Sequence, residues 1–463
     1  MNRQDFYNQS RKEHPTFTYR GYTYNLTENG LDITYDFSID GLSEFHPTWF
    51  INRIRELDYD VNKSLLDEMV FALGMVELIS YWKICCPPTV NIIPRSLTPE
   101  QIGWWKKLYF NGLGEFYYTN GIEENFDDFM VIQCDEHAAS SPAVTNSDNP
   151  YSTIGAKKPT VLIPVGGGKD SVVSIELLKD KADEYCYIIN SRGATDDTIR
   201  VANLTDKTIH AKRTLDKNML DLNSKGYLNG HTPFSALVSF SSIIAGYLNN
   251  INFVALSNEA SANESTVADS YVNHQYSKSF EYESDFRSYE RNFIGSGVYY
   301  FSFLRPISEL QIAMLFSRFK EYHGIFKSCN VGSKQDIWCG HCPKCLFVYT
   351  ILSPYLSLDE LDSIFHKRLF EDDDLISDFD KLCGVVPEKP FECVGSRDEV
   401  NAAITESISK YAKLQLHLPN LLAHYQTQNV VPAIPFENYK GQFASEHALP
   451  DYFKAILFDA INK

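Results

Sequence analysis

The run Val161-Leu-Ile-Pro-Val-Gly-Gly-Gly-Lys-Asp-Ser171 constrains this chain more than any other. An apolar stretch that reads as a strand passes straight into three glycines. Lys169, Asp170 and Ser171 follow, and Val172 to Lys179 reads as a helix. Consecutive glycines let backbone N–H groups approach an anion with no Cβ in the way. The helix that starts there adds unpaired N–H groups and the positive end of its dipole. Strand, Gly-rich turn and helix in that order make a phosphate-binding device. It is not a Walker A loop, because the four-residue spacer before Gly-Lys-Ser/Thr is missing. Nor is it the dinucleotide fingerprint, because Gly-x-Gly-x-x-Gly is absent.

A chain of 463 residues has room for about three domains. The expected division is an α+β domain over 1–150, an α/β domain carrying the Gly-rich turn over 151–328, and a cysteine-bearing, mostly helical region over 329–463. Apolar content of 44% and charged content of 22% are those of an ordinary soluble protein. No run of about 18 apolar residues occurs, so no membrane span is expected. The start, Met1-Asn-Arg-Gln-Asp-Phe-Tyr7, lacks an apolar signal segment, and a cytoplasmic location is expected. A net charge of −18 argues against nucleic acid as a partner, since that needs a basic surface.

Thr16–Asn25 and Leu31–Ile39 partly alternate and are separated by Glu28-Asn29-Gly30, which predicts a hairpin. Asn62–Lys83 carries Leu65, Met69, Leu73, Val76 and Ile79 at helical spacing, which predicts an amphipathic helix. Thr98, Pro99 and Gln101 start another helix, expected to run to about Phe110. Residues 135–159 read as a linker or surface loop. From Thr160 on, strands are expected at Glu184–Asn190, Thr205–Ala211 and Ile251–Leu256, with a long helix over Phe234–Asn249. Alternation of this kind implies a doubly wound parallel sheet. Ligands of such sheets sit beyond the C-terminal strand ends. The acidic run Glu371–Asp374 reads as solvated surface.

Cys329, Cys339, Cys342 and Cys345 form a Cys-x9-Cys-Gly-His-Cys-Pro-Lys-Cys pattern. Four thiolates so closely spaced suit tetrahedral Zn²⁺ in a structural role, and an iron–sulfur cluster is the chemical rival. His341, between two of these cysteines, is expected to be exposed, and Cys393 to be a small buried residue.

The order Gly-Gly-Lys-Asp-Ser resembles the PP-loop of N-type ATP pyrophosphatases, with Gly166 where that motif usually has its first serine. A distant Cys followed by Cys-Gly-x-Cys-x-x-Cys behind such a loop is also similar to the 7-cyano-7-deazaguanine synthases. Other PP-loop proteins, including defence-associated ones that modify a partner, are a further alternative. A closer resemblance runs through eight segments in order. They are Asn111-Gly-Leu-Gly-Glu-Phe116, Gly166–Ser171, Asn229-Gly-His-Thr-Pro233, Ser257-Asn-Glu259, Asn273-His-Gln-Tyr-Ser-Lys-Ser279, Leu304-Arg-Pro-Ile-Ser-Glu-Leu310, Trp338–Cys345 and Phe391-Glu-Cys-Val-Gly395. Together they resemble the ATP-dependent UDP-N-acetylmuramoyl-L-alanyl-L-glutamate epimerases. One departure is Ala260, where the family pattern leads one to expect arginine.

That resemblance implies a PP-loop (HUP-like) core and a step in peptidoglycan precursor synthesis. The terminal L-Glu of UDP-MurNAc-L-Ala-L-Glu becomes D-Glu while ATP becomes AMP and pyrophosphate. Gly166, Gly167, Gly168 and Ser171 would cradle the ATP phosphates, Lys169 would stabilise charge at the α-phosphate, and Asp170 would hold Mg²⁺. His231 and His274 are the general-base candidates, because histidine titrates near neutral pH. Glu259 would ligate Mg²⁺ or act as the second base. Lys278 and Arg305 would bind the γ-carboxylate or the diphosphate, with Lys278 also a catalytic candidate. Asn229, Asn258 and Asn273, in the matching segments, are candidates for substrate binding.

Overall fold

The computed structural model describes residues 2–57, 59–135, 158–268, 270–428 and 430–463. Apart from its ends, the expected linker 135–159 lies outside them. The architecture is mixed α/β with a helical C-terminal region, and it divides into two compact units.

The first unit draws on Met1–Thr153, Ile209–Val254 and Tyr271–Tyr300. The predicted hairpin is present as Thr16–Leu26 paired antiparallel with Gly30–Ile39. Thr48–Asn52 joins the second strand antiparallel, and Thr208–Thr214 joins Thr48–Asn52 in the same sense. On the other side Thr89–Ile92 and then Val131–Cys134 add in parallel. The strand expected at Thr205 begins at Thr208, because Thr205–Lys207 forms a 3₁₀ turn. Alternation sends Phe17, Tyr19, Ile33, Tyr35 and Phe37 to one buried face.

The helix predicted over Asn62–Lys83 runs Lys63–Trp82, with the Asn62 side chain capping Ser64 and Leu65. It is not amphipathic. Apart from Asp67, every residue from Leu66 to Trp82 is buried, because the helix packs against both the hairpin and the helix Phe234–Leu248. A Cβ on Gly74 would lie 2.1 Å from Tyr19 Oη and 2.6 Å from Tyr35 Cε1, so glycine sets how closely helix and sheet approach. The same helix buries a charge. Glu77 accepts from Trp49 Nε1 at 3.0 Å and from Arg213 Nε and Nη2 at 2.9 and 2.8 Å. Arg213 also donates to Ser80 Oγ at 2.9 Å.

The helix starting at Pro99 has the expected capping box but does not end at Phe110. It runs to Gly112, and a second helix, Gly114–Asn120, follows at once. Gly112 serves close packing and does not make a turn. A Cβ at Gly112 would sit 2.8 Å from two ring carbons of Pro233. One at Gly114 would sit 3.5 Å from Val272 Cα.

The second unit draws on Ile154–Thr208, Ala255–Ser270 and Phe301–Lys463. Its strand Thr160–Pro164 pairs parallel with Asp183–Ile189. Phe253–Leu256 lies on the other side of Thr160–Pro164, with Tyr299–Ser302 beyond it. The helix after the glycines is Lys169–Leu178, so Lys169 already occupies its first turn. Among the described residues beyond 343 the regular elements are helices joined by loops, the longest being Arg397–Lys413. The acidic run Glu371–Asp374 is exposed except at Asp372, which pairs with Lys367. Among the described residues no helix is long and apolar enough to cross a membrane.

Removing one partner of a buried ion pair strands the other charge, which costs about 3–5 kcal/mol. Glu77→Ala is therefore expected to lower unfolding free energy by that amount in urea titrations. A loss of under about 1 kcal/mol would show that Arg213 finds water or another acceptor.

Candidate active site

The Gly-rich turn is built as the sequence suggested. Pro164 ends the strand, Gly168 is the N-cap residue, and no side chain caps the helix. The first N–H groups of Lys169–Leu178 are therefore not taken by a capping side chain. Gly167 has φ +84°, and a Cβ there would meet Ala194 Cβ at 2.8 Å, so both conformation and space demand glycine. A Cβ at Gly166 would meet nothing within 4 Å, so no steric need explains glycine at that position. Ser171 Oγ donates to Gly168 O at 3.1 Å, and Lys327 N donates to Gly167 O at 2.8 Å, which fixes the turn.

Lys169 is buried, and its ammonium bridges Asp170 Oδ1 and Glu309 Oε2. Glu309 opens the helix Glu309–Phe316, and its backbone N–H donates to Glu399 Oε1 at 2.7 Å. Burial pushes the Glu309 carboxyl up, Lys169 pulls it down, and Asp170 and Glu259 add to the rise. Glu259 is buried beside the same group, and its carbonyl accepts from Arg305 Nη1. Arg305 is 1% exposed, and its other arm reaches Ser302 Oγ at 3.4 Å. Asn258 Nδ2 donates to the same Ser302 Oγ at 3.1 Å. Arg305 also lines a cavity of about 340 Å³ with Ala260, Asn263, Ala444, Ser445 and Glu446.

The second group lies in the first unit. Glu115, on the helix Gly114–Asn120, accepts a hydrogen bond through Oε2 from His274 Nδ1. The same oxygen lies 3.3 Å from His231 Nδ1. The two imidazole rings are in contact, with centroids 4.6 Å apart and planes tilted by 48°. Gly112 contributes to this convergence by admitting Pro233, which follows His231 closely, whereas Val272, just before His274, lies at ordinary contact distance from the position of a Cβ on Gly114. His231 is held down to about 3, by burial first, then by His274, Lys83 and Lys278. Lys83 is buried, donates to Gly230 O, and is itself pushed down to about 8, chiefly by burial. Lys278 closes the 3₁₀ turn Tyr276–Lys278 and is half-buried. Asn273 Oδ1 accepts from Gln275 N at 2.7 Å, and Asn229 Oδ1 from Gly230 N at 2.8 Å, so both asparagines shape the histidine-bearing loops.

The four cysteines converge as their spacing required. Sulfur separations are 3.8 Å for Cys329–Cys342, 3.7 Å for Cys339–Cys345 and 3.5 Å for Cys342–Cys345. A tetrahedral ion with bonds of about 2.3 Å sets its sulfurs about 3.8 Å apart, so the donor set fits zinc. His341 is exposed, as expected, and its Nδ1 lies 2.8 Å from Cys339 O. Cys393 is half-buried, and its carbonyl accepts from Lys344.

Sequence reasoning missed Glu115, Lys83, Glu309 and Glu399. Glu115 and Glu309 lay inside segments already singled out, Asn111–Phe116 and Leu304–Leu310. Their glycine and arginine neighbours drew attention away from the carboxylates. Nothing local marked Lys83 or Glu399, which reach their sites only through the fold.

A Gly-rich strand–turn–helix over a buried Lys–Glu pair, with a separate His–His–Glu group, defines an α/β protein equipped to bind an anion and to move a proton. Family models of the MurL N-terminal domain and the MurL C-terminal domain match residues 8–303 and 325–428. The chain belongs to the MurL family. A UDP-N-acetyl-alpha-D-muramoyl-L-alanyl-L-glutamate epimerase of Xanthomonas oryzae pv. oryzae is 31% identical over 358 residues, 75% of this chain and 76% of that protein. One from Salinispora tropica is 30% identical over 408 residues, 86% of each chain. One from a Micromonospora species is 29% identical over 408 residues, 86% of this chain and 88% of its own. No solved structure is significantly similar to it.

The two glycines predict opposite outcomes. Gly167→Ala forces an alanine into the left-handed region against Ala194 and should cost about 1–3 kcal/mol in thermal unfolding. Gly166→Ala should leave the melting temperature unchanged. Equal effects would mean that the turn relaxes away from Ala194.

Proposed function

We propose that this protein is an ATP-dependent epimerase that converts the terminal L-Glu of UDP-MurNAc-L-Ala-L-Glu to D-Glu, a step in making peptidoglycan precursors. The observation that carries this reading is the match of both MurL domain families, together with three relatives that bear the epimerase name. A small-molecule substrate and a cytoplasmic place of action go with it.

The need for ATP follows from carbon acidity. Removing the Cα proton beside an ionised carboxylate builds two negative charges on adjacent centres. Adenylation converts that carboxylate into a neutral mixed anhydride, and the Cα–H becomes far more acidic. Because the glutamate is N-acylated by alanine, the activated carboxyl can also close to an oxazolone, whose anion is aromatic. Hydrolysis of the activated product then makes the inversion one-way.

The chain's own residues divide this work. Gly166, Gly167, Gly168 and Ser171 offer donors to the phosphates in a PP-loop, the Ser171 hydroxyl turning from Gly168 O to do so. Lys169, held by Asp170 and Glu309, keeps a positive charge beside the turn. Asp170 and Glu259 are the carboxylates suited to Mg²⁺, which neutralises phosphate charge when bound. The cation missing at Ala260 is supplied by Arg305, which lines the same cavity. Of the two histidines, His274 acts on the Cα proton with His231 against it, and Lys278 stands ready to meet a carboxylate. Asn229, Asn258 and Asn273 hold the loops that receive the substrate. Zn²⁺ on the four cysteines is structural, since four thiolates leave no open position.

The test is incubation with Mg·ATP and UDP-MurNAc-L-Ala-L-Glu in D₂O. AMP and pyrophosphate release with deuterated D-Glu is the expected result. Absence of both AMP release and Cα exchange would overturn the reading. For the metal, elemental analysis of purified protein should find one zinc per chain, and Cys345→Ser should lose it and lower the melting temperature. Iron with a visible charge-transfer band would replace zinc by a cluster.

A further inference from the structure

Glu115 has no part in the scheme so far, yet it is the group on which both histidines converge. Its Oε2 accepts from His274 Nδ1 and lies 3.3 Å from His231 Nδ1. A carboxylate facing Nδ1 selects the tautomer with the proton on Nδ1 and leaves Nε2 bare as a base. All three side chains are mostly buried, with 12–21% exposure, so the cluster is largely desolvated yet not sealed from the surface.

Two features narrow the use of this cluster. First, the ring centroids are 4.6 Å apart, which is ring-on-ring contact. No carbon centre fits between them, so the two histidines cannot flank one Cα as opposing bases. Second, the three groups offer ligand atoms within 4.8 Å of one another, a donor set that by type could hold a divalent ion. The ammonium groups of Lys83 and Lys278 press on His231, however, and such a field favours an anion over a cation.

We propose that Glu115, His231 and His274 form a one-sided proton-transfer site for a carbon acid, with His274 as the base, Glu115 as its positioning residue and His231 as a neutral partner. This rests on the epimerase reading above and deepens it. In the step assigned here, the Cα–H bond of the activated glutamate breaks. The proton forms a bond to His274 Nε2, and the electron pair moves into the acyl group as an enolate. The imidazolium so formed is paired through Nδ1 with the Glu115 carboxylate. The ammonium groups of Lys83 and Lys278 face the developing enolate charge. The proton delivered to the opposite face of the carbon comes from outside this cluster.

The experiment compares full-length wild type with Glu115→Gln, Glu115→Asp and His274→Gln under Mg·ATP and UDP-MurNAc-L-Ala-L-Glu in D₂O. AMP release, deuterium at Cα and the melting temperature are read together. For Glu115→Gln, AMP release should stay within about threefold while Cα exchange falls by about 100-fold or more. Glu115→Asp should recover at least about a tenth of the exchange. His274→Gln should reproduce the split and covers the case in which Glu115→Gln does not fold. Exchange by a folded Glu115→Gln within about threefold of wild type would overturn the proposal. So would loss of AMP release and exchange in equal measure in the folded variants. Should wild type exchange Cα hydrogen without releasing AMP, the ATP-dependent reading falls and Glu115→Gln still decides this one. If wild type exchanges no Cα hydrogen, both fall.

Discussion

A carboxylate taken out of water has to be met by cations or hydrogen-bond donors, and that requirement shapes both units. Glu77 is met by Arg213 and Trp49, and the meeting ties a buried helix to two strands. Glu309 is met by Lys169, and the meeting ties the helix it opens to the Gly-rich turn. Glu115 is met by two imidazoles. Arginine and lysine are fixed cations, so the first two pairs hold structure and charge in place. An imidazole, unlike these, can pass a proton from one ring nitrogen's partner to another, so the third group can change state during a reaction.

The third group depends on small residues for its geometry. Glu115 sits on a short helix whose neighbours Gly112 and Gly114 have bare faces. The loop carrying His231 approaches one face and the loop carrying His274 the other. A larger residue at Gly112 would push Pro233 and the His231 loop away, and one carboxylate oxygen could not then reach both rings. In the second unit Gly167 does similar work against Ala194, in a backbone conformation that other residues avoid.

Much of this was legible along the chain. The hairpin, the buried helix at Asn62–Lys83, the strand–turn–helix at Val161–Ser171 and the four-cysteine group all lie within short windows, where periodicity and spacing act directly. What stayed hidden was tertiary. Asn111–Phe116 read as a break because glycines usually end helices, yet here Gly112 stays helical and admits Pro233. The helix Lys63–Trp82 read as amphipathic because its second cover, Phe234–Leu248, lies far along the sequence. His231 and His274 could each be picked by residue type. Glu115, more than a hundred positions away, could be joined to them only by the fold.

The most direct measurement of the central claim, that one carboxylate sets the state of both rings, is a nitrogen-15 long-range correlation spectrum of histidine-labelled protein. His231 and His274 would be assigned through single glutamine variants. Both rings are predicted to carry the proton on Nδ1 with Nε2 bare, and both signals should change in Glu115→Gln. Finding either ring protonated on Nε2 instead, or unmoved by the Glu115 substitution, would contradict the account.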